Sequence, residues 1–450
     1  MHRQDQGDDR GVVGMSFPMY PEYKHTEIEW LPRLPTHWTL SKFARHFAIR
    51  MGETIPEGEL SEDGWLPVFS ATEKDKYYGF VSNRVPLARA GDLVIPARGN
   101  SIGHVKLVRE MASATQTTIV ANNIDPGAVC GKYAYYWSIG LREILFHFDR
   151  TAIPQITTEY VSRNKFAFPG LLEQTQIARF LDHETAKIDT LIHGQKRLIE
   201  LLKEKRQAVI SHAVTKGLDP DVPMKDSGVE WLGEVPAHWV IVPFNYAIAY
   251  QEGPGIMGAD FHEEGVPLLR VSGVKHRWAS LRGCNYLDPS KVRTKWSHFQ
   301  LKEGDLLISA SASMGTVCEV GPSVEGAIPY TGLIRLNPRN KLTCKDFVRA
   351  VVGSSQFSTQ IDLFKAGSTI QHFGPTHLAQ MKIVLPPIEE QSEIALHVDA
   401  MVASFESLLA EAHQTNDLLQ ERRSALISAA VTGKIDVRNW QPPADESAFD

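Results

Sequence analysis

One segment of 49 residues occurs twice in this chain, and this repeat constrains the fold more than any other feature of the sequence. Residues 169–217 and 386–434 align at a constant offset of 217 residues without a gap, and 18 of the aligned positions are identical. A single insertion would rotate every later side chain by about 100° around an α-helix. The gapless repeat therefore predicts one long, continuous helix in each copy, and each copy follows a longer, irregular segment.

Each predicted helix carries an apolar stripe with heptad spacing. Alternating steps of four and three residues from Ile177 give Leu181, Glu184, Ile188, Leu191, Gln195, Leu198, Leu202, Lys205 and Val209, and the same steps from Ile394 give Val398, Met401, Phe405, Leu408, Ala412, Thr415, Leu419, Arg422 and Leu426. The second helix starts where the second irregular segment ends, so it must run back to pack against the first. We therefore expect two antiparallel helices in an intramolecular coiled coil with a pseudo-two-fold repeat. Each would be about 68 Å long, the length of about 20 base pairs of duplex DNA.

The irregular segments are predicted to be mixed domains with small curved sheets, so the expected fold class is α+β. Short apolar runs bounded by Gly and Pro indicate strands at 66–70, 92–96, 104–108 and 117–121 in the first domain and at 267–271, 305–309, 316–320 and 332–336 in the second. One longer apolar stretch in each domain, 133–148 and 345–364, predicts a helix. The expected organisation is a flexible leader at 1–24, domain one at 25–168, a helix at 169–217, domain two at 218–385, a helix at 386–434 and a tail at 435–450.

Two shorter repeats mark equivalent places in the two domains. The pattern EWLxxxPxHW occurs at 29–38 and 230–239, and we interpret its Trp and His residues as a buried clasp where each domain begins. Stacking of Trp30 or Trp231 on nucleic acid is the alternative. The segments GDLVIPARGNSIG and GDLLISASASMG differ by one residue in a Gly- and Ser-rich turn. Equal frameworks with unequal turns indicate one fold with two different surfaces.

Composition excludes several classes of protein. The net charge is −6, so the chain does not coat nucleic acid through overall charge, although eight basic residues and one acidic residue lie between positions 270 and 302. The four cysteines form no CxxC pair and the His residues form no metal-binding motif, so neither disulfides nor a bound metal are expected. No apolar run of 18 residues occurs, and we expect a cytoplasmic protein without a membrane segment or a cofactor.

The start of each long helix carries a recognisable motif. The second helix begins in PPIEEQSEIALHVD from Pro386, Gly170 replaces the second Pro of this motif in the first copy, and both helices end in an AVT segment. Together with the duplication and the two unlike domains, the motif resembles the specificity subunit of a type I DNA restriction-modification system over roughly residues 25–435. The resemblance implies two target-recognition domains, each reading one half of a bipartite, asymmetric site in double-stranded DNA. It also implies that the helices set the spacing and dock two methyltransferase subunits, to which endonuclease/translocase subunits can add.

Such a recognition subunit needs no catalytic residues, and none can be assigned in this sequence. It lacks the NPP[YF] tetrapeptide of amino-methyltransferases, and VTGK at 431–434 lacks the flanking residues of a phosphate-binding loop. The repeated helix ends are instead predicted to dock the partner subunits, with internal packing as an equally good explanation. The residues concerned are Glu173, Gln174, Arg206, Ser211 and Thr215 in the first copy and Glu390, Gln391, Arg423, Ser428 and Thr432 in the second.

Basic residues interleaved with aromatic ones are predicted to contact DNA, with a solvated basic surface as the alternative. In domain two they are Arg270, Lys275, Arg277, Trp278, Arg282, Lys291, Arg293 and Lys295, together with Ser311 in the serine-rich turn. In domain one they are Lys74, Lys76, Tyr77, Tyr78 and Arg84, followed by Arg98, Asn100 and Ser101. Arg98 and Asn100 suit base reading because Arg binds guanine and Asn binds adenine through two hydrogen bonds. The same residues also suit a turn that caps a strand.

A coiled-coil scaffold whose two domains bind proteins is the alternative function. Salt-sensitive binding of duplex DNA separates recognition from scaffolding, because each phosphate contact releases counterions. A stand-alone nuclease has little support, since no cluster of acidic and lysine residues stands out.

Overall fold

The chain forms two compact units, the first built from two separate stretches of sequence and the second from one continuous stretch. The computed structural model describes residues 17–73, 76–147, 154–275, 277–311, 315–339, 341–366 and 373–443, with the backbone alone at 365 and 366. Unit 1 comprises residues 1–196 and 414–450, and unit 2 comprises residues 197–413. Each unit therefore contains one domain, the first half of the long helix that follows it, and the second half of the other long helix.

Unit 1 has small sheets of two, three and four strands. Its strands are β1 (Tyr23–Ile28), β2 (Leu31–Pro35), β3 (Thr39–Lys42), β4 (Phe47–Met51), β5 (Leu66–Phe69), β6 (Gly79–Val81), β7 (Leu93–Pro96), β8 (Lys106–Leu107), β9 (Ser113–Ala114), β10 (Thr118–Asn123) and β11 (Lys165–Phe168). They form a β1-β2 hairpin, a β3-β11 pair, an antiparallel sheet in the order β4-β10-β7-β8 and a mixed sheet in the order β6-β5-β9.

Unit 2 repeats this arrangement strand for strand. Its strands are β12 (Met224–Asp226), β13 (Glu234–Pro236), β14 (Val240–Pro243), β15 (Ile248–Glu252), β16 (Val266–Leu269), β17 (Asn285–Leu287), β18 (Leu306–Ser309), β19 (Val317–Glu319), β20 (Ile328–Pro329), β21 (Leu333–Pro338) and β22 (Lys382–Leu385). The orders are β12-β13, β14-β22, β15-β21-β18-β19 and β17-β16-β20. Each strand predicted from the sequence is present, with its ends shifted by up to two residues.

The helices confirm the α+β class and the two long elements. They are α1 (Gly131–Gly140), α2 (Arg142–Leu145), α3 (Thr158–Arg163), α4 (Leu171–Lys216), α5 (Phe244–Ala247), α6 (Pro289–Lys291), α7 (Lys345–Val352), α8 (Ser355–Ala366), α9 (Pro375–Gln380) and α10 (Ile388–Val431). The long helices α4 and α10 contain 46 and 44 residues. In the described ranges, no helix combines the length and apolar character needed to cross a membrane.

The predictions of one continuous helix at 133–148 and at 345–364 are wrong. The first is divided into α1 and α2 at Leu141, and the second into α7 and α8 after Val352. Phe148, the predicted end of the first, lies outside the described residues.

Both breaks occur where a domain meets the last turns of a long helix. A Cβ atom on Gly140 would lie 2.8 Å from the Ile427 side chain of α10, so only glycine allows this approach. At the start of α8, Ser355 donates its N–H and its hydroxyl to the Ser211 hydroxyl of α4 at 2.8 and 2.7 Å. Contacts from residues distant in sequence therefore override the local helical pattern.

The heptad register predicted for the long helices is wrong near their centres. Leu191, Leu198 and Leu408 are exposed, whereas the residue that follows each of them is buried. Buried positions recur every 11 residues instead, at Ile177, Ile188, Ile199 and Ile210 on α4 and at Ile394, Phe405, Asn416 and Ile427 on α10. Eleven residues in three turns is about 3.67 residues per turn, close to the period of a straight helix, so the stripe needs no left-handed supercoil.

The two helix halves run antiparallel within each unit. In unit 1, α4 begins at the domain and α10 ends there, and the Asp189 carboxylate of α4 accepts two hydrogen bonds, at 2.8 and 3.2 Å, from the Arg423 guanidinium of α10. In unit 2, Ile199 of α4 lies in one buried cluster with Leu409 and Ala412 of α10. The expected antiparallel pairing is thus present inside both units.

The leader and the tail extend the folded part of unit 1. The ring of Phe17 packs edge-on against Phe180 of α4 at 5.2 Å, and Trp440 packs against the same ring at 5.2 Å. The Asp436 N–H donates to the Pro18 carbonyl at 2.7 Å. Residues 17–24, which the sequence analysis placed in a flexible leader, therefore belong to the packed unit.

Candidate nucleic-acid interface and its attachment to the long helices

A glutamate near the start of α4 holds the clasp of domain one. Glu173 Oε1 accepts hydrogen bonds from the Trp38 indole at 3.0 Å and from the Tyr20 hydroxyl at 2.7 Å, and Oε2 lies 2.9 Å from His37 Nε2. Burial, followed by the hydrogen bond to Glu173, raises the pKa of Tyr20, so this hydroxyl remains a donor. One carboxylate thus joins three side chains of the domain to the helix.

Unit 2 has the same attachment. Glu390 accepts the Trp239 indole N–H at 2.8 Å, and its other oxygen lies 2.6 Å from His238 Nε2. Trp239 is fully buried, while Trp30 and Trp231 are half-buried against the cores of their own units. The second Trp of each EWLxxxPxHW segment is buried, as the clasp interpretation predicts, while the first Trp is half-buried and the His side chain is exposed.

A fully buried glutamine forms the second attachment in each unit. Gln174 Oε1 accepts the Cys130 N–H at 2.8 Å, and Nε2 donates to two backbone carbonyls at 2.7 and 2.9 Å. Gln391 accepts the Cys344 N–H at 3.1 Å and donates to two carbonyls at 2.9 Å each. Both cysteines lie directly before a helix, α1 or α7, so the glutamines fix where these helices start.

An aspartate adds a third attachment, which the sequence analysis did not assign. Asp182 accepts hydrogen bonds from Lys132 at 2.7 Å and from the Tyr136 hydroxyl at 2.9 Å, both on α1. At the repeated position, Asp399 accepts two hydrogen bonds from Arg349 of α7 at 2.8 and 2.6 Å. The identity of these aspartates at the 217-residue offset was the signal available in the sequence.

Each long helix ends against the clasp in the unit where it terminates. Gly217 has a φ of +80°, and a Cβ on it would lie 3.2 Å from the Trp239 ring. Gly433 has a φ of +71°, and a Cβ on it would lie 2.6 Å from Pro35. Glycine is required at both ends because it adopts the left-handed conformation and leaves room for the clasp.

Most residues predicted to dock partner subunits make hydrogen bonds within their own unit. Glu173, Gln174, Glu390 and Gln391 are described above, and Arg206 is half-exposed on α4. The remaining contacts are Ser211 with Ser355, Arg423 with Asp189, Thr215 with the Ser211 carbonyl, and Thr432 with the Ser428 carbonyl. Docking through these residues stays a prediction, and contacts inside the units account for the repeated Glu, Gln and Thr residues.

The residues predicted to contact DNA lie on the same three connections in both domains. In unit 1 they are the connection between β5 and β6, the one after β6 and the one after β7. In unit 2 they are the connection between β16 and β17, the one after β17 and the one after β18. Unit 1 carries there Lys74, Lys76, Tyr77 and Tyr78, then Arg84, then Arg98, Asn100 and Ser101, with Lys74 outside the described residues. Unit 2 carries Arg270, Lys275, Arg277, Trp278 and Arg282, then Lys291, Arg293 and Lys295, then Ser311.

A buried aspartate lies directly before β7 and before β18 and makes equivalent hydrogen bonds in both domains. Asp92 and Asp305 each accept the N–H of the residue three positions earlier, at 2.8 and 2.9 Å, and a side-chain amide from the neighbouring strand, at 2.7 and 3.1 Å. The framework is therefore shared down to its buried polar contacts.

Three of the unit 2 cations predicted to contact DNA are exposed and make no side-chain hydrogen bond or ion pair with another described residue; they are Lys275, Arg282 and Arg293. Lys295 is also exposed, and its ammonium interacts electrostatically with the Asp260 carboxylate. Arg293 and Lys295 project from a π-helical turn, Val292–Trp296, whose first and last side chains are buried. Buried anchors hold this turn in place, so its two cations are available to phosphate groups.

Other predicted contacts of unit 2 are partly engaged inside the domain. Lys291 pairs with Asp260, and this hydrogen bond lowers the pKa of that carboxyl. Arg270 donates to Asn285 at 2.8 Å and lies over the Tyr330 ring at 4.7 Å. These cations stabilise loops as well as adding positive charge to the surface.

Arg277 and Trp278 extend the exposed surface towards α10. The Trp278 ring is exposed, and the Arg277 guanidinium lies 5.8 Å from the centre of that ring and 3.6 Å from Asp399. In the serine-rich turn, the Ser311 carbonyl accepts the Ser309 hydroxyl at 2.6 Å.

The surface of domain one is more aromatic than basic. Lys76 and Tyr78 are exposed, and the Tyr77 hydroxyl donates to Glu110 at 2.8 Å. Arg98 and Asn100 are also exposed, as base reading would require.

Arg84 and Ser101 are less available than the sequence suggested. The Arg84 guanidinium donates to Glu59 at 2.9 and 3.0 Å and to Glu53 at 3.2 Å, so its charge is neutralised locally. Ser101 is buried and donates to the Arg98 carbonyl at 3.2 Å. For Ser101 the structure favours the alternative, a residue that closes the turn after β7.

Two residues of domain one were missed. Lys106 is only 2% exposed, and its ammonium donates to the Ser70 carbonyl at 3.1 Å and to the Thr72 hydroxyl at 2.6 Å, which fixes the start of the β5–β6 connection. Trp65 is exposed, and its indole donates to the Ser82 carbonyl at 2.8 Å. A lysine inside the apolar run HVKLV was the available signal for Lys106.

Comparison with known proteins relates this architecture to one family. The sequence model described as the type I restriction modification DNA specificity domain matches residues 35–201 and 291–412, which is more than half of the chain. The chain belongs to this family.

Individual relatives show how far the similarity extends. The type I restriction enzyme MjaVIII specificity subunit of Methanocaldococcus jannaschii is 23% identical over 442 residues, covering 95% of this chain and 99% of the relative. The EcoKI specificity subunit of Escherichia coli K12 is 24% identical over 225 residues, covering 47% and 46%. A solved chain from a study of complex assembly and conformational transition in the type I R-M system has 15% identity and a TM-score of 0.66, covering 88% of this chain and 98% of its own. This last likeness shows a shared fold.

Among the described residues, no group of three or more His, Cys, Asp or Glu side chains could hold a metal ion. Each domain is thus attached to a long helix by hydrogen bonds, and the exposed cations and aromatic rings on its surface are the candidates for binding nucleic acid.

Proposed function

We propose that this chain is the non-catalytic DNA-recognition subunit of a type I restriction-modification complex. Each domain acts as a target-recognition domain that reads one half of a bipartite, asymmetric site in double-stranded DNA. The long helices set the spacing and dock two methyltransferase subunits, which supply the catalysis and to which endonuclease/translocase subunits can add. We place the complex in the cytoplasm, where the free cysteines stay reduced.

The observation that carries this proposal is the presence of unlike connections on matching frameworks. The strand orders of the two units are the same, while the β5–β6 connection spans residues 70–78 and its counterpart spans residues 270–284. Base sequence is read by the donors, acceptors and apolar groups that reach base edges. Two domains with one framework and different exposed residues therefore suit two different half-sites.

The three attachments in each unit support the role of the helices as a spacer. Glutamate, glutamine and aspartate side chains join each helix start to the clasp, to the preceding loop and to α1 or α7. A domain cannot rotate about its helix without breaking buried hydrogen bonds, which are costly to leave unmade. A fixed orientation of the domain on the helix is what a constant half-site spacing needs.

Exposed leucines at repeated positions support the docking of two identical partners. Leu191 and Leu408 are 57% and 45% exposed, and Leu201 and Leu418 are 44% and 56% exposed. The 217-residue offset relates the members of each pair. Since these side chains lie outside the buried stripe, packing within the chain does not explain their repetition. We assign them to docking of the methyltransferase subunits, beside the residues predicted from the helix ends.

Exchange of one domain surface tests the proposal. Replacing residues 47–123 by the corresponding segment of a relative with a different specificity changes all three connections of unit 1 and keeps its clasp, α1 and α4. The chimaera is produced together with the methyltransferase subunit, and methylated bases are mapped by sequencing. We expect one half-site to change while the other half-site and the spacer stay the same.

Two results would refute the proposal. The first is a change in both half-sites, because it would contradict independent reading by the two domains. The second is methylation by the purified chain alone, because a recognition subunit has no such activity. The matched control is the reciprocal chimaera, which should change the same half-site of the relative.

A further inference from the structure

Two polar side chains interrupt the buried stripe of the helix pair in unit 1. Asn416 is 9% exposed and occupies a position in the 11-residue series whose other members are apolar. On α4, the carboxamide oxygen of Gln195 is also buried. Neither this oxygen nor Asn416 Oδ1 has a hydrogen-bond partner within the described part of the chain.

The register of the helices places these two residues in one layer. Arg423 of α10 pairs with Asp189 of α4. From this ion pair, Gln195 lies six residues forward on α4 and Asn416 lies seven residues back on α10, or about 9 and 10.5 Å in the same direction. A carboxamide both donates and accepts, and a half-turn exchanges its oxygen and nitrogen, so each of these residues can satisfy the other.

The equivalent layer of unit 2 is apolar. The 217-residue offset relates Gln195 to Ala412 and Asn416 to Ile199. Ile199 and Ala412 pack together in one buried cluster. The polar layer therefore occurs in unit 1 alone of the two equivalent layers. The repeat of the two helices does not explain why these layers differ.

This difference distinguishes two ways of pairing the helices. Because α4 and α10 share one series of buried positions, α4 of one chain could pair antiparallel with α4 of a second chain. In that pairing, Gln195 would face Ile199 in two layers. Pairing of α10 with a second α10 would likewise put Asn416 against Ala412 twice. Pairing of α4 with α10 is the arrangement that puts amide opposite amide.

We propose that Gln195 and Asn416 form a polar layer that makes α4 pair with α10 and disfavours pairing of either helix with a second copy of itself. A polar residue at one position of a helix seam sets partner and register because wrong partners leave it buried and unpaired. The layer thus keeps two unlike domains on one pair of helices. The pairing itself does not depend on what the domains bind.

Refolding of mixed chains tests this proposal. Isotopically light and heavy full-length chains are unfolded in urea, refolded together at one fixed concentration and treated with an amine-reactive cross-linker. For Gln195→Leu combined with Asn416→Leu, we expect light–heavy dimers to increase on the order of tenfold over the native chain. Native mass spectrometry measures the dimers, and cross-links between α4 peptides through Lys196 or Lys203 identify the pairing.

Matched variants separate polarity from general packing effects. Ile199→Leu alters the apolar layer at the repeated position. Gln195→Asn combined with Asn416→Gln exchanges the two amides. Each of these control variants should keep the native dimer fraction. If the leucine double variant does not refold, Gln195→Leu alone carries the test, since its α4–α4 layers become fully apolar. The proposal is overturned if the refolded leucine variant stays at the native dimer fraction, or if Ile199→Leu raises that fraction equally.

Discussion

The buried glutamine at the start of α10 offers a direct test of how domain two is attached to its helix. Gln391→Leu keeps a similar side-chain volume but removes three hydrogen bonds. The Cys344 N–H and the carbonyls of Leu342 and Pro386 lose their partner in the interior. The substitution therefore affects the attachment without creating a large cavity.

The size of the effect follows from the groups left unpaired. Each buried backbone group without a partner costs about 1–3 kcal/mol, so three such groups cost about 3–9 kcal/mol. Burial of the leucine side chain offsets about 2 kcal/mol of this. We expect the free energy of unfolding of the full chain to fall by about 4 kcal/mol, the middle of the resulting range.

Urea unfolding followed by circular dichroism measures this loss, and amide hydrogen exchange locates it. The Cys344 amide should lose its protection, while amides of unit 1 should keep theirs. Glu393→Gln changes an exposed position of the same helix turn and is the matched control, expected within about 0.5 kcal/mol of the native chain. A loss below about 1 kcal/mol with unchanged exchange at Cys344 would refute the reasoning.

Three further predictions concern DNA, partners and the clasp. Arg293→Ala with Lys295→Ala should weaken duplex binding by the assembled complex and reduce its salt slope by about 1.8, since each phosphate contact contributes about 0.9; an unchanged slope in a salt titration would count against this surface. Leu408→Glu should leave the unfolding midpoint unchanged but remove one methyltransferase subunit in native mass spectrometry, and retention of both subunits would contradict the docking assignment. Trp239→Phe removes the indole donor of Glu390 and should destabilise the chain by about 1.5–3 kcal/mol in urea unfolding; a loss under about 0.5 kcal/mol would show that the clasp bond contributes little.

The framework was predictable because it depends on local patterns. Short apolar runs between Gly and Pro located the strands, and an uninterrupted repeat located α4 and α10. The order of the strands in each sheet was not predictable, since pairs such as β3 with β11 join segments more than 120 residues apart.

The buried stripe was misplaced because a strict heptad was assumed. A heptad has 3.5 residues per turn, whereas the observed series has about 3.67, so the two diverge by about one residue every six turns. Leu191 and Ile192 are both apolar, and composition alone could not choose between them. Burial in the structure assigns Ile192 to the seam and Leu191 to the surface.

The repeated Glu and Gln residues show why identity between copies does not reveal a role. Repetition predicts that Glu173 docks a partner, but its carboxylate accepts a hydrogen bond from Trp38, 135 residues away. A residue that attaches a domain to its helix and a residue that docks a second protein would both occur in the two copies. Likewise, Arg84 appeared free in the sequence but lies against Glu53 and Glu59.

The spacing between half-sites tests the central claim most directly. Inserting 22 residues, two of the 11-residue repeats, after Lys196 and again after His413 keeps the buried positions in register. Each helix then grows by about 33 Å, which corresponds to about 10 base pairs and one turn of duplex DNA, so each domain meets the same face of the duplex. Mapping of methylated bases is expected to show the same two half-sites with a spacer about 10 base pairs longer. Methylation at the original spacing would contradict the account.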